Sequence, residues 1–76
     1  MIGVECRFLS GGSVEVQRIE IDGRWMAVEQ GRQWVDRGGR HVLIMLPNKP
    51  AQELCLRPDT MTWEIRPIGP PVQQIV

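Results

Sequence analysis

Residues Arg40 to Ile68, RHVLIMLPNKPAQELCLRPDTMTWEIRPI, hold three apolar runs separated by two turn signals. Val42, Leu43, Ile44, Met45 and Leu46 are consecutively apolar, which in an antiparallel sheet implies a strand covered on both faces and therefore central. Pro47 and Pro50 lack the backbone donor a ladder needs, so the strand ends there. Glu53 to Leu56 is a short run with Leu54 and Leu56 on one face. Arg57-Pro58-Asp59-Thr60 then reads as a type I turn with proline at its second position. Thr62 to Ile68 alternates, placing Trp63 and Ile65 on one side and Thr62, Glu64 and Arg66 on the other. The stretch is a three-strand antiparallel meander.

Working outward, the first run places Ile2, Val4, Cys6 and Phe8 on one face of a strand at period two. Ser10-Gly11-Gly12-Ser13 supplies a tight hairpin turn. Val14 and Val16 open a second strand, but Ile19 and Ile21 have the opposite parity. A bulge near Gln17 and Arg18 restores one inward face and bends the strand. Asp22-Gly23 is the strongest hairpin signal in the chain, because a two-residue type I′ turn needs two positive φ angles. The third strand is Arg24 to Glu29. From Gln30 to Gly39 glycines and polar side chains break the alternation, which reads as a loop, with room for one helical turn. Trp34 in that loop either plugs the open end of a barrel or stands exposed.

The expected fold class is all-β: a small antiparallel meander or partly open barrel of five to six strands. One domain covers residues 1–68, followed by a tail, residues 69–76. The expected core is Val4, Phe8, Val16, Ile21, Trp25, Val42, Ile44, Leu54, Leu56, Trp63 and Ile65. A 76-residue chain has room for one core, whose burial only narrowly exceeds the entropy lost on folding. With three Trp, one Phe and no Tyr, the tryptophans are expected to supply much of that burial.

Nine basic and nine acidic residues cancel, so no global field points to nucleic acid or a membrane surface. Locally, Arg24, Arg32, Arg37, Arg40 and Lys49 face only Glu29 and Asp36 in the middle of the chain. No signal-peptide pattern and no apolar run of about 20 residues is present, and a cytoplasmic location without membrane contact is expected. Cys6 and Cys55 are too few and too far apart for a disulfide framework or a zinc knuckle. They read as two reduced, buried thiols, with a cross-strand disulfide as the alternative.

Catalysis by a nucleophile–base pair would have to use His41, the only histidine, with a turn serine or a strand cysteine, and no spacing supports such a pair. His41 reads as a partly exposed strand residue. His41, Cys6 and Cys55 lack metal-ligand spacing, and the Gly-Gly pairs lack the Lys and the helix of a phosphate loop. No catalytic residue, metal or cofactor is expected. The remaining candidates are Arg24, Arg32, Trp34, Arg37 and Arg40, flanked by Trp25 and His41. Guanidinium groups meet phosphates and indole faces stack on bases, so the cluster suits single-stranded nucleic acid. The same residue types are enriched at protein interfaces. In that alternative the chain associates with itself or another protein through the edge strand Glu53 to Leu56 and the tail residues Val72, Ile75 and Val76.

The order GRW at Gly23 to Trp25, GRQW at Gly31 to Trp34, QEL at Gln52 to Leu54 and LRPDTMTWEI ending at Ile65 resembles a small Trp-bearing β domain of unassigned function. Such domains are encoded near, or fused to, translesion DNA polymerase and repair proteins in bacteria. The resemblance covers about residues 14–68. It implies an accessory, non-catalytic role beside DNA metabolism, with a protein of that machinery as a further possible partner.

Overall fold

The computed structural model describes residues 2–68; the tail of residues 69–76 lies outside them. The described residues form seven strands: β1 (Gly3–Phe8), β2 (Val14–Ile21), β3 (Arg24–Ala27), β4 (Glu29–Asp36), β5 (Gly39–Met45), β6 (Gln52–Arg57) and β7 (Thr62–Pro67). They make two antiparallel sheets, ordered β1-β2-β3 and β4-β5-β6-β7. No helix among the described residues is long and apolar enough to cross a membrane.

The turn chemistry acts where the sequence places it. Asp22 and Gly23 both take positive φ, 52° and 79°, and pair Ile21 with Arg24, as a type I′ hairpin requires. In β2, Glu5 pairs with Arg18 but Cys6 with Val16, leaving Gln17 as the extra residue of a bulge. The bulge brings Val14, Val16 and Ile19 to one face, and all three are buried. The β5-β6-β7 meander forms as read, with β5 between β4 and β6. The β6–β7 turn closes through a bond from Met61 N to Arg57 O at 2.8 Å, with Met61 at φ 57°.

The sheets face each other across Val14, Val16 and Ile19 from the smaller one and Val42, Ile44 and Leu54 from the larger, with Leu46, just after β5, in the same cluster. Burying an aliphatic side chain of this size contributes about 1.5–3 kcal/mol. Val4, Ile21, Trp63 and Ile65 pack around this cluster, as does Met26.

Several expectations are corrected. The count is seven strands, because Gln30 to Asp36, read as part of a loop, belongs to β4. Among the described residues the sheets remain separate and do not close into a barrel. Phe8, the last residue of an edge strand, is 58% exposed, and Trp25 is 47% exposed. Trp25 pairs with Glu20, while its neighbour Met26 pairs with the buried Ile19, so the alternation of β3 turns the indole outward. It lies over Gly3 with the Arg18 guanidinium 5.4 Å from its ring centre. Of the three tryptophans only Trp63 packs against the core cluster. The segment Glu53 to Leu56 is not an edge, since β6 lies between β5 and β7. Cys55 is buried but Cys6 only half-buried, and both are free thiols.

The sheets are joined by side chains. β3 pairs only with the second half of β2, and Val28 N donates to Gln17 O at 3.2 Å. Beyond that point β4 leaves β2, and two glutamines span the gap. Gln30 accepts from Val16 N at 2.7 Å and donates to Val14 O at 3.0 Å. Gln33 accepts from Val14 N at 2.9 Å and donates to Val14 O at 2.8 Å. Carboxamides thus replace a neighbouring strand for the first half of β2.

Candidate functional site

The alternation of β5 and β6 puts Val42, Ile44 and Leu54 in the core and His41, Glu53 and Cys55 on the opposite face of the larger sheet. Trp34 pairs with His41 from β4 and joins them on that outer face. It is half-buried and neither plugs a barrel end nor stands free. Its ring stacks on the His41 imidazole, with centres 5.1 Å apart and planes 9° from parallel. The exposed Arg32 guanidinium lies over the same indole, 4.9 Å from its centre. A guanidinium, an indole and an imidazole are thereby gathered on one surface.

His41 is buried, with 7% of its surface exposed, which corrects its reading as a partly exposed strand residue. Nε2 meets Asp36 Oδ1 at 2.7 Å, and Nδ1 meets Glu53 Oε2. Both ring nitrogens therefore face carboxylate oxygens, an arrangement satisfied fully only by the imidazolium, which has two N–H donors. Burial is the largest single influence on His41 and pushes its pKa down. The hydrogen bonds and charges of Asp36 and Glu53 outweigh it, and the net direction is up. The His41 contact, and then the Gly38 N–H, which donates to Asp36 Oδ1 at 2.8 Å, hold the Asp36 carboxyl below its ordinary range.

Cys55, opposite His41, sends its thiol toward Gly38 O at 3.6 Å, and burial pushes its pKa up. It is a protonated thiol at neutral pH, packed as a small hydrophobe. Farther along the face Glu64 binds Arg66 at 3.1 Å and Arg57 at 3.4 Å. Among the described residues no group of three or more His, Cys, Asp or Glu is arranged to hold a metal ion.

The candidate residues named from sequence are dispersed. Arg32 and Trp34 come together on the outer face of the larger sheet, and Arg37 follows in the exposed β4–β5 turn. Arg24 and Trp25 belong to the smaller sheet, next to the Asp22-Gly23 turn. Arg40 turns to the joint between the sheets, where it donates to Gln33 Oε1 at 2.8 Å and to Gly12 O. Its position is that of a structural tie. Asp36 and Glu53, which hold His41, carry no local signal: they lie five residues before it and twelve after it, and only the pairing of β4, β5 and β6 assembles them.

The chain matches no protein-family model, no curated protein and no solved structure.

Proposed function

We propose that this domain is a non-catalytic binding module that takes single-stranded nucleic acid on the outer face of its larger sheet. The observation that carries the reading is the Arg32–Trp34–His41 stack, in which a cation covers an exposed-face indole supported from within the sheet. Arg32 has no ion pair among the described residues, so it can leave the indole for a phosphate while a base takes its place on the ring. Arg37, in the turn that follows β4, adds a second exposed cation. The resemblance in motif spacing to domains found beside repair polymerases supports the same reading. The domain is an accessory to such machinery, in the cytoplasm, and needs no cofactor.

A labelled oligothymidylate titrated with the full chain at low salt tests this. Trp34→Ala is expected to lose about 1–3 kcal/mol of binding, the usual worth of one base–aromatic stack. Arg37→Ala should weaken binding evenly across sequences and lower the salt slope by about one. Absence of binding at low salt, or binding indifferent to Trp34→Ala, rejects the reading.

A second reading has its own observation. Among the described residues β1 and β7 have no partner on their outer sides, and Ile2, Met61, Thr62 and Trp63 line an apolar depression where these strands begin. A second copy of the chain adding its strand there would extend the ladder. Sedimentation across micromolar to millimolar concentration should show a dimer that Thr62→Lys, an edge charge on β7, abolishes. A monomer throughout excludes it.

A further inference from the structure

We propose that His41 is a protonation-dependent latch for the Trp34 platform: bridging Asp36 of β4 and Glu53 of β6 as an imidazolium, it holds the indole against β5, and loss of its proton lets the platform loosen. The functional consequence rests on the binding reading above; the latch itself does not.

The geometry is that of a tie across three strands. Asp36 and Trp34 reach His41 from β4, Glu53 and Cys55 from β6, and Gly38 from the β4–β5 turn. Arg32 caps the indole, while on β7 Glu64 and Arg66 pair with Cys55 and Glu53. A neutral imidazole has one N–H and one lone pair, so it can serve only one of the two carboxylates. The Glu53 side chain is 22% exposed and that of Asp36 55%. The remaining proton therefore stays on Nδ1 with the more enclosed Glu53. Nε2 then presents a lone pair to Asp36 Oδ1, and Asp36 turns to water. The same oxygen accepts the Gly38 N–H, so its departure also loosens the turn that follows Trp34 on β4.

The direction with pH follows from the shifts. His41 is raised above 6.5 in the folded chain, so its contribution is complete below that value and disappears as pH rises through the folded midpoint. Asp36 is lowered below 3.8, so its contribution is complete above that value and is lost as pH falls through its folded midpoint. The latch is closed between the two.

Proton NMR of the full chain reads both partners: the His41 ring carbon-bound protons and the Trp34 indole N–H, the latter assigned with Trp34→Phe. The His41 midpoint is expected above 6.5, the Trp34 resonance should move with that same midpoint, and Asp36→Asn should lower it. A Trp34 resonance indifferent to the His41 titration, a midpoint at or below 6.5, or a midpoint unchanged by Asp36→Asn overturns the latch. In a parallel arm, oligothymidylate affinity should fall by about fivefold or more across the midpoint, the lower range of ordinary coupling between sites. A coupled His41–Trp34 titration without oligonucleotide binding at any pH upholds the latch and rejects the nucleic-acid reading alone.

Discussion

Gly39→Ala should destabilise the protein by about 3 kcal/mol or more, within the range where a single substitution signals a defined steric or backbone fault. Gly39 opens β5 at φ +126°, and a Cβ there would stand 2.0 Å from the Leu56 carbonyl oxygen and 3.0 Å from Pro58 Cδ. The obstacle is the backbone of β6, which is flanked by strands on both sides, so no side chain can rotate out of the way. Relief requires β5 to part from β6, and with it the pairing of Arg40 with Leu56 and His41 with Cys55. A domain of this length has a total stability of roughly 4–11 kcal/mol, so much of it would be lost. Thermal unfolding should show a midpoint lower by about 12 °C or more. The adjacent Gly38→Ala is the control. Its added Cβ would meet Asp36 Oδ1 at 3.4 Å and His41 Nε2 at 3.7 Å, ordinary contacts, and the change should stay within about 1 kcal/mol. Equal effects from the two glycines would contradict this packing of β5 on β6.

Substituting two glutamines of the larger sheet with leucine should have opposite results. Gln33→Leu leaves the N–H of Val14, a residue only 1% exposed, without its acceptor, and removes the acceptor of Arg40. Orphaning a buried backbone donor costs about 1–3 kcal/mol. Loss of the Arg40 contact should place the total near the upper end, and the Val14 amide should exchange faster with solvent. Gln52 carries a buried amide oxygen with no partner among the described residues, so Gln52→Leu removes a desolvated polar atom and should be neutral or stabilising. Denaturant unfolding of the two variants measures the contrast. If Gln33→Leu is as mild as Gln52→Leu, the carboxamides do not join the sheets.

Gln33, together with Gln30, explains why β4 is hard to read in the sequence. Period-two alternation assumes that inward positions are apolar, yet Gln30 and Gln33 point inward to serve the open edge of β2, and a register shift between them breaks the period. Trp25 is different, because its position was legible. A two-residue Asp22-Gly23 turn pairs Glu20 with Trp25, so it places the indole on the face of a glutamate and excludes it from the core. Weighing Trp by its apolar area alone hides that constraint. Of the candidate site, the residue types were visible and their grouping was not. Arg32 with Trp34 could be read from proximity in the chain. Arg40 was indistinguishable from them until the β1–β2 hairpin was seen to lie against it.

Local chemistry alone determined the all-β class, the Asp22-Gly23 hairpin, the bulge at Gln17 and the β5-β6-β7 meander. Each depends on φ preferences, on missing donors at proline or on the two-residue period of a strand, and these act between neighbours in the chain. The tertiary structure alone decided the split into two sheets, the inward use of Gln30 and Gln33 and the burial of His41 between Asp36 and Glu53. These depend on which strands lie opposite one another. A hydrogen bond across 5, 12 or 19 residues of chain leaves no period or motif in the sequence from which to read it.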